Sequence, residues 1–285
     1  MQPDEIEEIE IDLLLEAVER RYGYDFRTYA RETIGRRVRN LLQRSDHRYV
    51  SQLMSQALRD RDLFERIVRE FSITVTSMFR DPEVYAALRE QVIPLLRSHP
   101  FIRIWHAGCA TGEEVYSMAI LLKEAGLSER VTIFATDFND EALRVAATGV
   151  YGLEKAREFT ENYQLMGGKG AFSDYYRARY GAFALDSRLR DNITFANHNL
   201  VTDEVFSEMH LVLCRNVLIY FNSDLQSRVT RLICRSLVNG GFLCLGNREF
   251  LHADVAGTDF KEVDAQRRIF QKNYRLEEEP GALTV

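Results

Sequence analysis

The residues best suited to chemistry lie in two short segments, 104–114 and 136–137, where two apolar runs end. The first run leads into the loop AGCATG, whose Gly108 lets the backbone approach a ligand closely because glycine has no Cβ. The second run ends at Asp137, where an acidic side chain can hydrogen-bond ribose hydroxyl groups. In open α/β sheets, ligands bind beyond the carboxyl ends of the strands. The spacing therefore indicates a cofactor that carries a ribose.

Two acidic residues after this loop argue against a phosphate ligand. The loop is neither a full G-x-G-x-x-G nor a Walker A motif, and an ordinary strand-to-helix turn is the alternative for this segment alone. Glu113 and Glu114 follow it directly, and phosphates prefer a helix N-terminus free of carboxylates. S-adenosylmethionine (SAM) has an ammonium group, a sulfonium and no phosphate. A cofactor of this kind fits the loop better.

The first quarter of the chain predicts a small helical bundle. Apolar residues recur at three- and four-residue steps through residues 11–18, which is typical of a helix with one buried face. Further helices are predicted at 34–44, around 53–58 and at 63–71. We expect residues 1–75 to form a separate helical domain.

From about residue 101, strand and helix patterns alternate. VTIFATD, ITFANHNL, HLVLCRNVLIYF and GGFLCLG are strand candidates, and LQSRVTRLICRSLVNGG predicts a helix closed by its glycines. Alternation of this kind predicts a mostly parallel sheet in an α/β domain, residues 76–275. A glycine- and tyrosine-rich stretch at 165–191 predicts a small antiparallel β insert, and residues 276–285 predict a mobile tail.

Composition excludes several functional classes. The formal net charge is -6 and the pI is about 5.7, which gives no general attraction to nucleic acid or anionic membranes. We expect no secretory signal in the acidic N-terminal residues, and no apolar run approaches the ~20 residues needed to span a bilayer. The four cysteines form no CxxC pair, so we expect reduced thiols, no metal site and a cytoplasmic location.

Six segments together resemble the CheR family of chemotaxis protein-glutamate O-methyltransferases. They are FSITVTSMFRDPEVY, IWHAGCATGEEVYSMAI, ATDFNDEAL, NHNL, LCRNVLIYF and NGGFLCLGNRE, in the family's order, across roughly residues 5–275. The resemblance implies a helical domain that faces the substrate, followed by a Rossmann-like SAM-dependent methyltransferase domain. Departures from the family pattern include His106, Val115 and LGNRE, and none removes a group that the chemistry requires.

The resemblance also implies roles for individual residues. It implies contacts with SAM, and after transfer with S-adenosylhomocysteine, for Thr74, Thr76, Arg80, Gly108, Glu113, Asp137, Asn199, Leu200, Arg215 and Asn216. Arg80 would meet the methionine carboxylate, for which a guanidinium is well shaped, and Tyr220 would lie near the transferred methyl group. Arg80 and Tyr220 are thus the catalytic candidates.

Each of these residues also has a structural interpretation. Thr74 and Thr76 could be helix-end residues, and Asn199 a turn residue. Arg80 beside Asp81 could be a surface ion pair of little energetic worth. Tyr220 could be a packed strand aromatic. The resemblance favours the functional reading for all of them, most strongly for Arg80.

The implied partner is an acidic helical coiled coil in the cytoplasmic part of a chemoreceptor. The segment TIGRRVRNLLQR carries Arg36, Arg37, Arg39 and Arg44. Such a basic helix could steer an acidic partner, although a solvated helix face is the usual reading of a charge run. The family suggests a monomer. The alternative functions are methylation of RNA or a metabolite, and a SAM-binding signalling module without turnover.

Overall fold

The computed structural model describes residues 3–27, 31–71, 76–251 and 259–274. Thr74 and the tail at 276–285 lie outside the described residues. The chain divides into two compact units, residues 1–75 with 217–228, and residues 76–216 with 229–285. Residues 217–228 thus group with the first unit, whereas the sequence prediction placed them in the second domain. The predicted domain boundaries stay a prediction.

The first unit is the helical bundle that the sequence predicted. Its apolar face is buried from Ile11 to Val18 on the first helix. Residues 217–228 join this bundle through the backbone, because the Asp25 N–H donates to the Tyr220 carbonyl at 2.9 Å and Tyr24 forms a bridge with Phe221. The helices are α1 (Pro3–Tyr22), α2 (Arg31–Gln43), α3 (Val50–Ala57) and α4 (Arg61–Phe71).

The second unit contains a seven-stranded mixed sheet and a three-stranded sheet. The strands are β1 (Ile102–Ala107), β2 (Val131–Asp137), β3 (Val150–Gly152), β4 (Tyr176–Arg179), β5 (Ala182–Leu185), β6 (Ile193–Asn197), β7 (Met209–Cys214), β8 (Leu237–Leu245), β9 (Phe260–Asp264) and β10 (Ile269–Lys272). The large sheet has the order β6-β2-β1-β7-β8-β10-β9. The neighbouring strands β6, β2, β1, β7 and β8 pair in parallel. Strand β10 pairs antiparallel with β8 and β9. This order is Rossmann-like, with two antiparallel strands added at one edge.

Helices precede or connect these strands. They are α5 (Pro82–Ala87), α6 (Ile93–Leu96), α7 (Glu113–Glu124), α8 (Asp140–Thr148), α9 (Ala156–Leu165) and α10 (Ser223–Ser236), with a π-helical turn at Leu88–Val92 between α5 and α6. In α10 the residues before Val229 belong to the first unit. Within the described ranges, no helix has both the length and the apolar content that crossing a membrane would require.

Two element boundaries differ from the sequence prediction. The strand predicted through HLVLCRNVLIYF ends at Cys214, because Asn216 has a φ of 60° that a strand cannot contain. The helix predicted to close at its glycines ends at Ser236 instead. Gly240 and Gly241 lie inside β8, where Gly240 has a φ of 76°. These glycines mark an irregular strand rather than a helix end.

The predicted antiparallel insert is confirmed and begins earlier in the chain than expected. It has the order β3-β5-β4. A two-residue turn with φ of 53° at Tyr180 and 73° at Gly181 joins β4 to β5, as the right-handed twist of hairpin strands favours. Glu124, at the end of α7, accepts the Tyr163 hydroxyl at 2.5 Å and the Tyr175 hydroxyl at 3.1 Å. These bonds connect α7 to the segment between β3 and β4 of the insert.

All four cysteines are free thiols, as predicted, and Cys109, Cys214 and Cys244 are buried. Burial and the nearby carboxylate of Asp137 raise the pKa of the Cys109 thiol well above its usual range. Cys109 therefore stays protonated near neutral pH and is a poor nucleophile. No group of residues suited to a metal ion occurs among the described residues.

Candidate functional site

The loop after β1 is fastened to the end of β2 by backbone hydrogen bonds. The N–H groups of Gly108 and Cys109 donate to the Thr136 carbonyl at 2.8 and 2.9 Å. One carboxylate oxygen of Asp137 accepts the Ala110 N–H at 2.9 Å, and the other accepts the Asn139 N–H at 2.9 Å. Asp137 thus holds the loop on one side and the start of α8 on the other.

Gly112, the last residue of the loop, cannot be replaced without strain. Its φ is 87°, a left-handed value that residues with a Cβ rarely adopt. A Cβ added here would lie 2.8 Å from the Cβ of Ala146 on α8. The backbone of the loop at Gly112 therefore packs directly against the Ala146 side chain of α8. This contact fixes the path of the chain into α7.

Glu113, the first residue of α7, is fully buried. One of its carboxylate oxygens accepts the Thr111 hydroxyl at 2.6 Å, and the other accepts the Lys155 ammonium at 3.2 Å. Burial raises the pKa of Glu113, although the bonds from Thr111 and Lys155 oppose this. Burying a charged carboxylate beside the loop therefore lowers the free energy of unfolding.

The insert takes part in this arrangement through its first strand. The Tyr151 hydroxyl on β3 donates to the Thr111 carbonyl at 2.8 Å, and Lys155 follows β3 by three residues. Tyr151 is buried. The insert therefore contacts the loop through the Tyr151 hydrogen bond, and the segment after β3 contacts the start of α7 through the Lys155–Glu113 ion pair.

Arg215, just beyond β7, lies at the centre of a buried charge cluster. Its guanidinium is completely buried and donates to Asp81 at 2.5 Å, to Glu114 at 2.7 Å and to the Arg80 carbonyl at 3.3 Å. Glu114 also contacts the His106 ring at 3.3 Å. Burial alone would raise the pKa of Glu114, but Arg215 and His106 outweigh it and hold that pKa below its usual value. Both partners of the Arg215–Glu114 pair are therefore charged.

Asn216 follows Arg215 and is held by Glu249. The Glu249 carboxylate, which is 3% exposed, accepts the N–H of Asn216 at 2.8 Å and the N–H of Gly246 at 2.6 Å. A Cβ on Gly246 would lie 2.7 Å from this carboxylate and 2.8 Å from the Asn216 nitrogen. Glu249 and Gly246 thus fix the ends of β7 and β8 next to each other.

The strand order brings most of the predicted cofactor residues to one edge of the sheet. Because β6, β2, β1 and β7 are parallel neighbours, their carboxyl ends lie side by side. Gly108, Asn199 and Arg215 follow these ends, and Asp137 is the last residue of β2. Asn199 shapes a turn, since its side-chain oxygen accepts the Val201 N–H at 3.0 Å. Its neighbour, the predicted Leu200, is 7% exposed.

The remaining cofactor and catalytic candidates are placed as follows. Thr76 and Arg80 are half-buried in the second unit, and Arg80 reaches the same edge through its carbonyl contact with Arg215. Tyr220 is half-buried in a short helical turn, Leu218–Tyr220, of the first unit. The roles predicted for these residues stay predictions.

The four arginines of the predicted steering helix differ in their surroundings. Arg36 is exposed. Arg37 is half-buried and donates to the Glu70 carbonyl, and burial lowers its pKa. Arg39 pairs with Glu7 at 2.6 Å, and Arg44 lies 3.9 Å from Glu70. Part of the basic charge is thus neutralised within the bundle.

The chemistry of the sheet edge fits a cationic nucleoside cofactor. Asp137 and Glu113 place two buried carboxylates around the loop, and residues 108–112 include no basic side chain. A phosphate there would meet negative charge, whereas an ammonium group and ribose hydroxyls would meet hydrogen-bond acceptors. The residues present therefore suit SAM.

Comparison with protein families agrees with this geometry. Residues 74–269 match the model of the CheR methyltransferase SAM-binding domain, and residues 9–72 match the model of the CheR methyltransferase all-alpha domain. The chain belongs to the CheR family. The predicted family resemblance and fold class are thereby confirmed.

Several relatives in the CheR family are similar over most of the chain. A candidate methyltransferase named Cher3, from Pseudomonas putida, is 49% identical over 93% of this chain and 97% of its own length. A chemotaxis protein methyltransferase from Listeria monocytogenes is 28% identical over 81% of this chain and 86% of its own. Chemotaxis protein methyltransferase 1 from Vibrio cholerae is 30% identical over 68% of this chain and 70% of its own.

Sequence reasoning missed four residues that shape this CheR-family site. Glu114 follows Glu113 and Asp81 follows Arg80 in the chain. Their charged side chains, next to predicted site residues, could have marked them as site candidates. Lys155 and Tyr151 contact partners 42 and 40 residues away in the chain. No local pattern marks such contacts, because only the fold brings them together.

Proposed function

We propose that this protein transfers a methyl group from SAM to glutamate side chains in the cytoplasmic helices of chemoreceptors, forming glutamate methyl esters. The observation that carries the proposal is the loop after β1, fastened to Asp137 and flanked by the buried carboxylate of Glu113. Membership in a family of SAM-binding methyltransferases supports the cofactor. Relatives named as chemotaxis protein methyltransferases support the pathway.

The cofactor-binding roles follow from charge and position. Asp137 would accept hydrogen bonds from the ribose, and Glu113 would attract the ammonium group of the amino acid part. Arg80, with Thr76 and Thr74, would hold the carboxylate of that part. The adenine side, at the carboxyl ends of β6 and β7, would be lined by Asn199, Leu200, Asn216 and the main chain of Arg215, whose side chain has no exposed surface.

Methyl transfer requires the protein mainly to align the acceptor carboxylate with the methyl group of SAM. SAM supplies an electrophilic methyl group on its sulfonium. A glutamate acceptor is already ionised near neutral pH, since its reference pKa is about 4.3, so no general base is needed. The chain must hold the acceptor in line with the methyl group and exclude water. We assign the alignment to Arg80 and Tyr220.

Acceptor recognition would use the basic face of α2. Chemoreceptor methylation regions are acidic helical coiled coils, as the family resemblance implies. Arg36 is exposed, and Arg39 and Arg44 are exposed although each lies near a carboxylate. Exposed ion pairs are weak, so these arginines can turn to a more acidic partner. Added salt should therefore slow methylation.

The proposal is tested by incubating the protein with SAM labelled in its methyl group, receptor cytoplasmic fragments, RNA and small metabolites. Base-labile label on the receptor fragment, lost when its acceptor glutamates are changed to alanine, is the expected result. The Arg80→Ala variant should lose SAM affinity and turnover. Arg157→Ala removes only a surface pair with Glu161, 2.9 Å long, and should behave as wild type.

Other outcomes would overturn the proposal in distinguishable ways. Label on RNA or on a metabolite would mean a methyltransferase with a different acceptor. SAM binding without any labelled acceptor would mean a signalling module. Wild-type SAM affinity and turnover in Arg80→Ala would contradict the role of Arg80 alone.

A further inference from the structure

Asp81 occupies the N-cap position of α5 but does not cap the helix. Aspartate is among the preferred N-cap residues because its carboxylate can accept the free N–H groups of the first turn. In this helix no side-chain cap hydrogen bond is formed. The carboxylate instead accepts the Arg215 guanidinium at 2.5 Å. The side chain of Asp81 is therefore used to contact the end of β7 rather than its own helix.

Arg80 lies between two residues in left-handed conformation. Phe79 has a φ of 52° and Asp81 a φ of 55°, values that are uncommon for residues with a Cβ and cost free energy. The surroundings hold this turn from both sides. The Phe79 N–H donates to the Ser117 hydroxyl at 2.8 Å, and the Arg80 carbonyl accepts Arg215 at 3.3 Å.

The anchor of this turn is rigid because Arg215 is fully buried and paired on both sides. Its side chain has no exposed surface, while the side chain of Asp81 is 27% exposed and that of Glu114 is 16% exposed. A buried charge that loses one of its partners is strongly destabilised, so the guanidinium has no low-energy alternative position. Glu114 belongs to the first turn of α7, directly after the cofactor loop. Arg215 thus connects the Arg80 turn to the loop that precedes Glu113.

We propose that Asp81 is a positioning residue for Arg80: through Arg215, its carboxylate holds the strained turn that aims Arg80 at the carboxylate of the methyl donor. The inference rests on the proposed function, in which Arg80 binds that carboxylate. It adds a residue that touches no substrate atom and acts only by fixing the backbone of its neighbour. Loss of the Asp81 carboxylate therefore weakens recognition of the amino acid part of the donor. Arg215 keeps its bond to Glu114, so its main chain stays in place beside the nucleoside and recognition of that part is intact.

The test is a double-mutant cycle read out by calorimetric binding of SAM and of 5′-methylthioadenosine, which has the nucleoside part without the amino acid. Asp81→Asn keeps the side-chain volume and tolerates a left-handed φ. We expect it to weaken SAM binding about tenfold, within the range of coupling between neighbours in one ion-pair network. Binding of 5′-methylthioadenosine should change less than about twofold. In the Arg80→Ala background, Asp81→Asn should have almost no further effect on SAM.

Two further variants distinguish a specific loss of SAM binding from a general loss of the fold. Asp81→Gly removes the carboxylate and relieves the left-handed strain, so it should reproduce the effect of Asp81→Asn. Asp264→Asn removes the carboxylate of another pair in the same unit, 3.0 Å from Arg267, and should bind SAM as wild type does. Thermal melting identifies variants that have lost their fold.

Three results would overturn the inference. In the first, Asp81→Asn and Asp81→Gly bind SAM as tightly as wild type does. In the second, they weaken the binding of 5′-methylthioadenosine as much as the binding of SAM. The effect of Asp81→Asn on SAM could also persist in full in Arg80→Ala, which would make Asp81 a general support of the fold. If the wild-type protein binds 5′-methylthioadenosine but not SAM, the proposed function itself fails, whatever the variants do.

Discussion

Replacing Glu113 with glutamine should weaken cofactor binding without lowering the stability of the protein. The change keeps the volume of a fully buried side chain. It also leaves an amide oxygen that can accept the Thr111 hydroxyl, now 2.6 Å from the carboxylate. Only the negative charge is lost, and with it the pair with Lys155, whose side chain is 41% exposed and can turn to water.

The effect on stability follows from the raised pKa of Glu113. A carboxyl group with a raised pKa binds its proton more tightly in the folded protein than in the unfolded chain. The free energy of unfolding therefore falls as the pH rises from the ordinary value, about 4.3, towards the folded value. Glu113→Gln removes this loss, and the Lys155 ammonium, on a side chain that is 41% exposed, regains contact with water. Near neutral pH the variant should be as stable as wild type or slightly more stable.

The effect on cofactor affinity should have the opposite sign. A hydrogen bond between a carboxylate and an ammonium group is worth about 1.5–3 kcal/mol, so SAM and S-adenosylhomocysteine should bind about 10- to 100-fold more weakly. The nucleoside analogue 5′-methylthioadenosine lacks the ammonium group and should bind unchanged. Calorimetric titration of the three ligands and thermal melting between pH 5 and 8 measure both effects. A clear fall in melting temperature with unchanged SAM affinity would refute the reasoning, because Glu113 would then be purely structural.

Three further predictions concern other features of the protein. Tyr151→Phe removes the hydroxyl that donates to Thr111 at 2.8 Å, so chemical denaturation should give a loss of about 1 kcal/mol, with weaker SAM binding in the same preparation. Gly246→Ala places a Cβ 2.7 Å from the Glu249 carboxylate, and denaturation should give a loss of about 1–3 kcal/mol; an unchanged midpoint would mean that the loop adapts freely. Arg36→Glu should leave SAM affinity unchanged but slow receptor methylation several-fold at low salt, with the difference shrinking as salt is added. Equal slowing at all salt concentrations would count against electrostatic steering.

Much of the fold could be predicted because its determinants are local. The apolar positions of α1 and the alternation of strands and helices after residue 101 depend on periodicity alone. Boundaries failed where a single backbone conformation overrides the pattern. Asn216, with a φ of 60°, ends β7 inside an apolar run, and Gly240 bends β8 without ending a helix. The strands β9 and β10 form the antiparallel edge and were not predicted.

The candidate site could be predicted only in part for the same reason. Gly108 and Glu113 lie in the segment after β1 and Asp137 is the last residue of β2, and a strand end is visible in sequence. The pairing of Arg215 with Asp81 joins residues 134 positions apart. Nothing near Asp81 in the chain distinguishes a surface pair from a buried anchor, because burial is a property of the assembled sheet.

The route of the chain limits how this protein can be taken apart or recombined. Residues 217–228 belong to the helical unit although they follow the last residue of the site at β7. Their carbonyl at Tyr220 accepts the Asp25 N–H, and Phe221 contacts the Tyr24 ring with centroids 5.5 Å apart. A truncation before residue 76 would strip these residues of their packing partners. Exchange of the helical unit with another family member must therefore transplant two separate pieces of sequence together.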